Sequence, residues 1–103
     1  GETRETAVLR EIEEESGITA VRLIKQLGSV SWQNEKQHFF LLETTQPLPE
    51  TFVHIVHSHD ADNGLRYAYC WLALTASLKT QLVYGGGVFV DDLLAHYQLL
   101  PVE

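Results

Sequence analysis

Gly1-Glu2-Thr3-Arg4-Glu5-Thr6-Ala7-Val8-Leu9-Arg10-Glu11-Ile12-Glu13-Glu14-Glu15-Ser16-Gly17-Ile18 opens the chain and decides its fold class. From Thr3 to Ser16 the spacing predicts a helix: Val8, Leu9 and Ile12 fall on one side, Thr3 can cap the start, and Gly17 supplies a left-handed stop. At about 100° per residue, Glu14 lies roughly 60° to one side of Glu11 and Glu15 roughly 40° to the other. Three carboxylates therefore share one face. Like charges at these spacings each destabilise a helix by a few tenths of a kcal/mol, so the face calls for a compensating charge. Arg4 is the one basic residue on it. A divalent cation held by carboxylate oxygens and water would neutralise the cluster directly, whereas a solvated surface helix would carry the same charges without one.

The spacing separates these two readings. Glu2, Arg10, Glu11, Ile12, Glu14, Glu15, Gly17 and Ile18 fall in the register E-x7-R-E-U-x-E-E-x-G-U, where U is aliphatic. This resembles the box of the Nudix hydrolases. Each fixed residue occurs at only about 6% in ordinary sequences, so a chance match at every one of these positions is negligible.

The resemblance implies a Nudix-type α/β/α sandwich around a mixed β-sheet. It also implies an enzyme that uses Mg²⁺ or Mn²⁺ to hydrolyse the pyrophosphate of a nucleoside diphosphate linked to another moiety. Glu14 and Glu15 would be the metal ligands, Glu11 a ligand or proton acceptor, and Glu2 a further holder of the metal or its waters. Arg10 would orient the glutamates, in keeping with its i, i+4 spacing from Glu14. A metal bridging phosphate oxygens offsets developing charge and makes bound water a better nucleophile, while a nearby carboxylate takes the proton. The alternative class is a catalytically weak or inactive Nudix domain that binds nucleotide as a regulatory module, because a fold alone does not guarantee chemistry.

The family's box opens with a glycine five residues before Gly1, in a loop preceded by strands. The chain also contains no methionine. Residues 1–103 are therefore expected to form a single Nudix domain that lacks its N-terminal strands and belongs to a longer native protein. A sheet without those strands has an open edge, which invites pairing in a homodimer. Such a fragment is expected to be a weaker catalyst than the longer protein.

Further along, residues 18–32 are rich in Val, Ile and Leu and read as one or two strands, with a turn expected at Asn34-Glu35. The run Gln37-His38-Phe39-Phe40-Leu41-Leu42-Glu43-Thr44 has no polar break in its middle and predicts a central strand covered on both faces. A β-like piece, Phe52 to Val56, leads to the polar loop Ser58-His59-Asp60-Ala61-Asp62-Asn63-Gly64, and Leu65 to Leu74 returns as an aromatic-rich strand. After Gly85-Gly86-Gly87, residues Val88, Val90, Leu93, Leu94 and Tyr97 predict a closing helix. The class is α/β.

Other residues offer secondary candidates. His54, His57 and His59 with Asp60 and Asp62 could be read as a transition-metal cluster, but their loop reads better as a solvated turn. Many Nudix members take a base or ligand from a loop outside the box, and Asp60 or Asp62 is the expected source here. The three glycines precede a helix but lack the Lys-Ser/Thr of a P-loop, so a flexible hinge is expected. Trp32, Phe39, Tyr67 and Trp71 are expected mostly in the core.

Composition bounds the remainder. Apolar residues make up 45% and charged residues 20% of the 103 residues, which predicts a packed globular core. Fourteen acidic against seven basic residues give a net charge of −7, which argues against generic nucleic-acid binding. The longest apolar runs fall far short of the ~20 residues that a membrane span requires, so no membrane partner is expected. A single cysteine, Cys70, suits a reducing cytoplasm. The expected partner is a nucleoside-diphosphate-type small molecule.

Overall fold

The computed structural model describes residues 1–82 and 85–98. Contacts gather these residues into two compact units, each built from two segments: Gly1–Leu23 with Glu43–Trp71, and Ile24–Leu42 with Leu72–Glu103. The elements form a small α/β fold, as the sequence predicts. In chain order they are α1 (Arg4–Ser16), β1 (Val21–Trp32), β2 (Glu35–Thr44), β3 (Thr51–Ile55), β4 (Arg66–Cys70) and α2 (Val90–His96), with short 3₁₀ turns at Ala76–Thr80 and Gly86–Phe89 before α2.

In the first unit, α1 begins and ends for the local reasons expected. The Thr3 hydroxyl accepts from the Thr6 amide at 3.1 Å. Gly17, at φ +75°, donates its amide to the Glu13 carbonyl. Ala7, Val8, Leu9 and Ile12 are half-buried along one side, and α1 packs against β3 and β4. These strands pair antiparallel, from Thr51 opposite Cys70 to Ile55 opposite Arg66. Burial alternates with the period of two that strands impose: Phe52, His54, Tyr67 and Tyr69 are partly buried, and Thr51, Val53, Ile55, Arg66, Ala68 and Cys70 are exposed. Phe52 and Tyr69, direct register partners, stack with ring centroids 4.9 Å apart. Val56, just past β3, is the most deeply buried residue of this unit.

β1 and β2 pair in a two-stranded sheet. Only two residues join them, which requires antiparallel strands. The turn is Gln33-Asn34, one residue earlier than expected, because both residues take the left-handed conformation (φ 50° and 66°) that a two-residue hairpin turn demands. Among the described residues β2 has β1 as its paired neighbour, so it lies in a hairpin and not at the centre of a sheet. Leu41 is nevertheless buried and most of its strand is half-buried.

The second unit is organised on α2. Val90, Leu94 and Leu78 form its buried cluster, with Leu74 packed alongside. The predicted closing helix starts later than its apolar pattern: Gly86–Phe89 is a 3₁₀ turn, and Val88 is 65% exposed. The three glycines are positions of close approach. A Cβ at Gly85 would come within 2.9 Å of Val30, and one at Gly86 within 2.8 Å of Phe39, while one at Gly87 would overlap the Lys79 carbonyl. Phe39 itself meets Phe89 at a centroid distance of 5.1 Å.

Two further expectations are corrected. The strand predicted from Leu65 to Leu74 stops at Cys70. There the Trp71 amide turns to the Glu50 carbonyl and the Trp71 indole N–H donates to the Pro49 carbonyl at 3.1 Å. Trp71 is accordingly a surface residue, 57% exposed; Trp32, at the end of β1, is 40% exposed, while Phe39 and Tyr67 are half-buried. Among the described residues no helix is long and apolar enough to cross a membrane.

Candidate active site on the acidic helix

The last two turns of α1 carry Glu11, Glu14 and Glu15. Glu11 is exposed, whereas Glu14 and Glu15 are half-buried where the helix meets the β3–β4 pair. The terminal carbonyls of a helix have no partner within it. Here they are taken up from outside: the His57 amide donates to the Glu14 carbonyl at 2.9 Å, and the Tyr69 hydroxyl donates to the Glu15 carbonyl at 2.7 Å. One residue further, Gly17 lies so close to the His54 ring that a Cβ would come within 2.9 Å of it.

Arg10 faces the same end of the helix and bridges two acids. Its Nε and Nη2 donate to the two oxygens of Glu2 at 2.8 and 2.9 Å, and its Nη1 donates to Glu14 at 3.1 Å. The hydrogen bonds from Arg10 lower the Glu2 pKa, and those of Glu2 and then Glu14 raise that of Arg10. Glu2 is thus ion-paired through both oxygens.

Glu15 has the opposite electrostatics. Burial raises its pKa first, and the neighbouring carboxylates of Glu11, Asp62 and Glu14 raise it further. Asp62 comes from the loop between β3 and β4, which is internally braced. The Ser58 hydroxyl donates to Asp62 at 2.6 Å, the Ser58 amide donates to Asn63 Oδ1 at 2.9 Å, and the Asp60 amide donates to the Ser58 hydroxyl at 3.2 Å. The loop is closed at its base by Val56 and Leu65. Asp62 is half-buried, and Asp60 is exposed.

The structure therefore brings Glu11, Glu14, Glu15 and Asp62 into one electrostatic neighbourhood, with Arg10 and Glu2 beside it. The donor set suits a hard divalent cation, which carboxylate oxygens bind. Among the described residues no three His, Cys, Asp or Glu side chains are already gathered in a metal-holding arrangement, the histidines at 54, 57 and 59 included. Sequence reasoning missed Ser58 and Tyr69, and it considered His57 only as a metal ligand and not for its amide. The alternation of Tyr67 and Tyr69 in a short strand was the only signal available for Tyr69.

Comparison with known proteins identifies the family. The NUDIX domain matches residues 1–92, so the chain belongs to the Nudix hydrolase family. The curated proteins and the solved structures give no match.

Proposed function

We propose that this chain is a divalent-metal-dependent pyrophosphohydrolase acting on a nucleoside diphosphate linked to another moiety. The observation that carries the reading is α1 itself, a capped helix that sets Glu11, Glu14 and Glu15 in the register of the family's box, with Glu14 and Glu15 half-buried. Within this proposal Glu14 and Glu15 hold Mg²⁺ or Mn²⁺, with Glu11 as ligand or proton acceptor. Asp62 is favoured over Asp60 as the loop carboxylate: it is half-buried and held by the Ser58 hydroxyl, and it is among the charges that raise the Glu15 pKa, whereas Asp60 is exposed. Arg10 fixes the direction of Glu14, and Glu2, tied to Arg10, adds a further carboxylate to the cation's surroundings.

When bound, the cation would offset charge on the phosphate oxygens and lower the pKa of water at the site. The chain's own contribution is the placement of carboxylates on a capped helix whose end is tied down, and an acceptor for the proton that attacking water releases. The family match runs across segments of both compact units, which supports treating them as one domain.

The test is a screen of nucleoside-diphosphate derivatives with Mg²⁺ and with Mn²⁺, followed by release of the two phosphorylated products. Metal-dependent cleavage that disappears in Glu14→Gln supports the proposal. Binding of a nucleotide without cleavage by any derivative would favour a regulatory module instead.

A further inference from the structure

The end of α1 is held by a side chain that none of the box residues supplies. Tyr69 lies on β4, 54 positions from Glu15, and its hydroxyl donates to the Glu15 carbonyl at 2.7 Å. The ring also stacks on Phe52, with an interplanar angle of 18°. A second bond, from the His57 amide to the Glu14 carbonyl, ties down the preceding residue from the start of the loop that bears Asp62. A helix end without outside partners frays, and a glutamate on its last turn then samples many directions. A cation needs its ligands in a narrow set of directions, so loss of this tie should appear as weaker metal binding.

We infer that Tyr69 is a positioning residue for the metal site: its hydroxyl fixes the last turn of α1 and so aims the Glu15 carboxylate. This inference rests on the proposed function, in which Glu15 is a metal ligand. Phe52 has a different part: it packs on the ring and gives the helix end no hydrogen bond.

The variant Tyr69→Phe keeps the ring and removes the hydroxyl alone. Mn²⁺ binding, followed by water-proton relaxation in the absence of nucleotide, should weaken about three- to tenfold, the fold-change that corresponds to one net hydrogen bond. In turnover assays the metal concentration for half-maximal rate should rise by a similar factor, with most of the rate recovered at saturating metal. The variant Phe52→Leu removes the stack and keeps the hydroxyl. It should lower the melting temperature and leave Mn²⁺ affinity within about twofold. Unchanged Mn²⁺ affinity in a folded Tyr69→Phe protein would overturn the inference. Equal losses of affinity in Tyr69→Phe and Phe52→Leu would do the same, because general loosening would then account for both. Glu15→Gln separates this outcome from failure of the proposed function. If Glu15→Gln abolishes Mn²⁺ binding and Tyr69→Phe has no effect, only the role of Tyr69 falls. If Glu15→Gln leaves Mn²⁺ binding intact, the metal-ligand reading itself falls, and this inference falls with it.

Discussion

Arg10 donates to Glu14 one helical turn ahead of it, at 3.1 Å, while the other edge of the same guanidinium holds Glu2. The planar fork permits this double engagement, and a lysine could not reproduce it. Arg10→Ala should therefore release both carboxylates and reduce turnover at least tenfold, with little change in nucleotide affinity. Because the pairs are largely exposed, the melting temperature should fall only slightly. Steady-state kinetics beside a thermal melt give the comparison, and an unchanged rate would reduce Arg10 to a solvated surface charge.

Glu15 predicts a pH-dependent stability of unusual sign for a carboxylate. Its pKa is raised in the folded chain, chiefly by burial and then by Glu11, Asp62 and Glu14. Below its unfolded pKa the group is protonated in both states and adds no penalty. As pH rises through the folded pKa, ionisation in the acidic surroundings destabilises the fold. Glu15→Gln should thus melt slightly higher than the parent at neutral pH without metal, and the difference should vanish below about pH 4, where glutamates are mostly protonated. Turnover should fall by orders of magnitude. A variant that melts lower at neutral pH would contradict the electrostatic account.

Glu2 has the opposite sign. Its pKa is lowered by Arg10, so its contribution is present above the unfolded pKa and is lost as pH falls through the folded value. Glu2→Gln should consequently narrow the difference in stability between neutral and acidic pH, and parallel melts of parent and variant across that range would detect it. An identical pH dependence in the two proteins would mean that the ion pair contributes nothing in solution.

What was legible in the sequence depends on the range of each interaction. The cap at Thr3, the stop at Gly17 and the acidic face of α1 arise within a few residues, and each is found where the sequence puts it. The hairpin turn moved by one residue because Asn34-Glu35 looks favourable by composition, while the geometry needs left-handed backbone at Gln33 and Asn34. Trp71 was expected inside, yet a tertiary hydrogen bond to Pro49 holds it at the surface. Similarly, Asp60 and Asp62 are equivalent in a string of letters, and only the folded loop distinguishes them, leaving Asp60 exposed and Asp62 half-buried under the Ser58 hydroxyl. Tyr69 illustrates the limit most clearly: the alternation of its strand marks the face it lies on, but its partner is a main-chain carbonyl, which no side-chain pattern identifies.

Gly87 offers a test remote from the acidic helix. A Cβ there would overlap the backbone carbonyl of Lys79, which cannot move aside as a flexible side chain could. Gly87→Ala should destabilise the second unit by about 1–3 kcal/mol or more, the usual scale of overpacking. Mn²⁺ affinity should be retained by the fraction that remains folded. Denaturant titration combined with Mn²⁺ binding reads both quantities, and an unaffected midpoint would show that the close approach is absent in solution.

Ser58 tests the loop carboxylate without altering any charge. Its hydroxyl donates to Asp62 at 2.6 Å and accepts from the Asp60 amide at 3.2 Å, so one side chain both orients Asp62 and closes the turn. Ser58→Ala removes both bonds, and losing one such bond is ordinarily worth about 1 kcal/mol. If Asp62 serves the reaction from a fixed position, the variant should lose about five- to tenfold in kcat, while Ser58→Thr, which keeps a hydroxyl, should recover most of it. Asp62→Asn should lose more than Ser58→Ala, because it removes the charge as well as its placement, and Asp60→Asn should remain near the parent rate. A reversed order, with Asp60→Asn the more damaging, would transfer the role to Asp60 and remove the reason for expecting Ser58 to matter through Asp62.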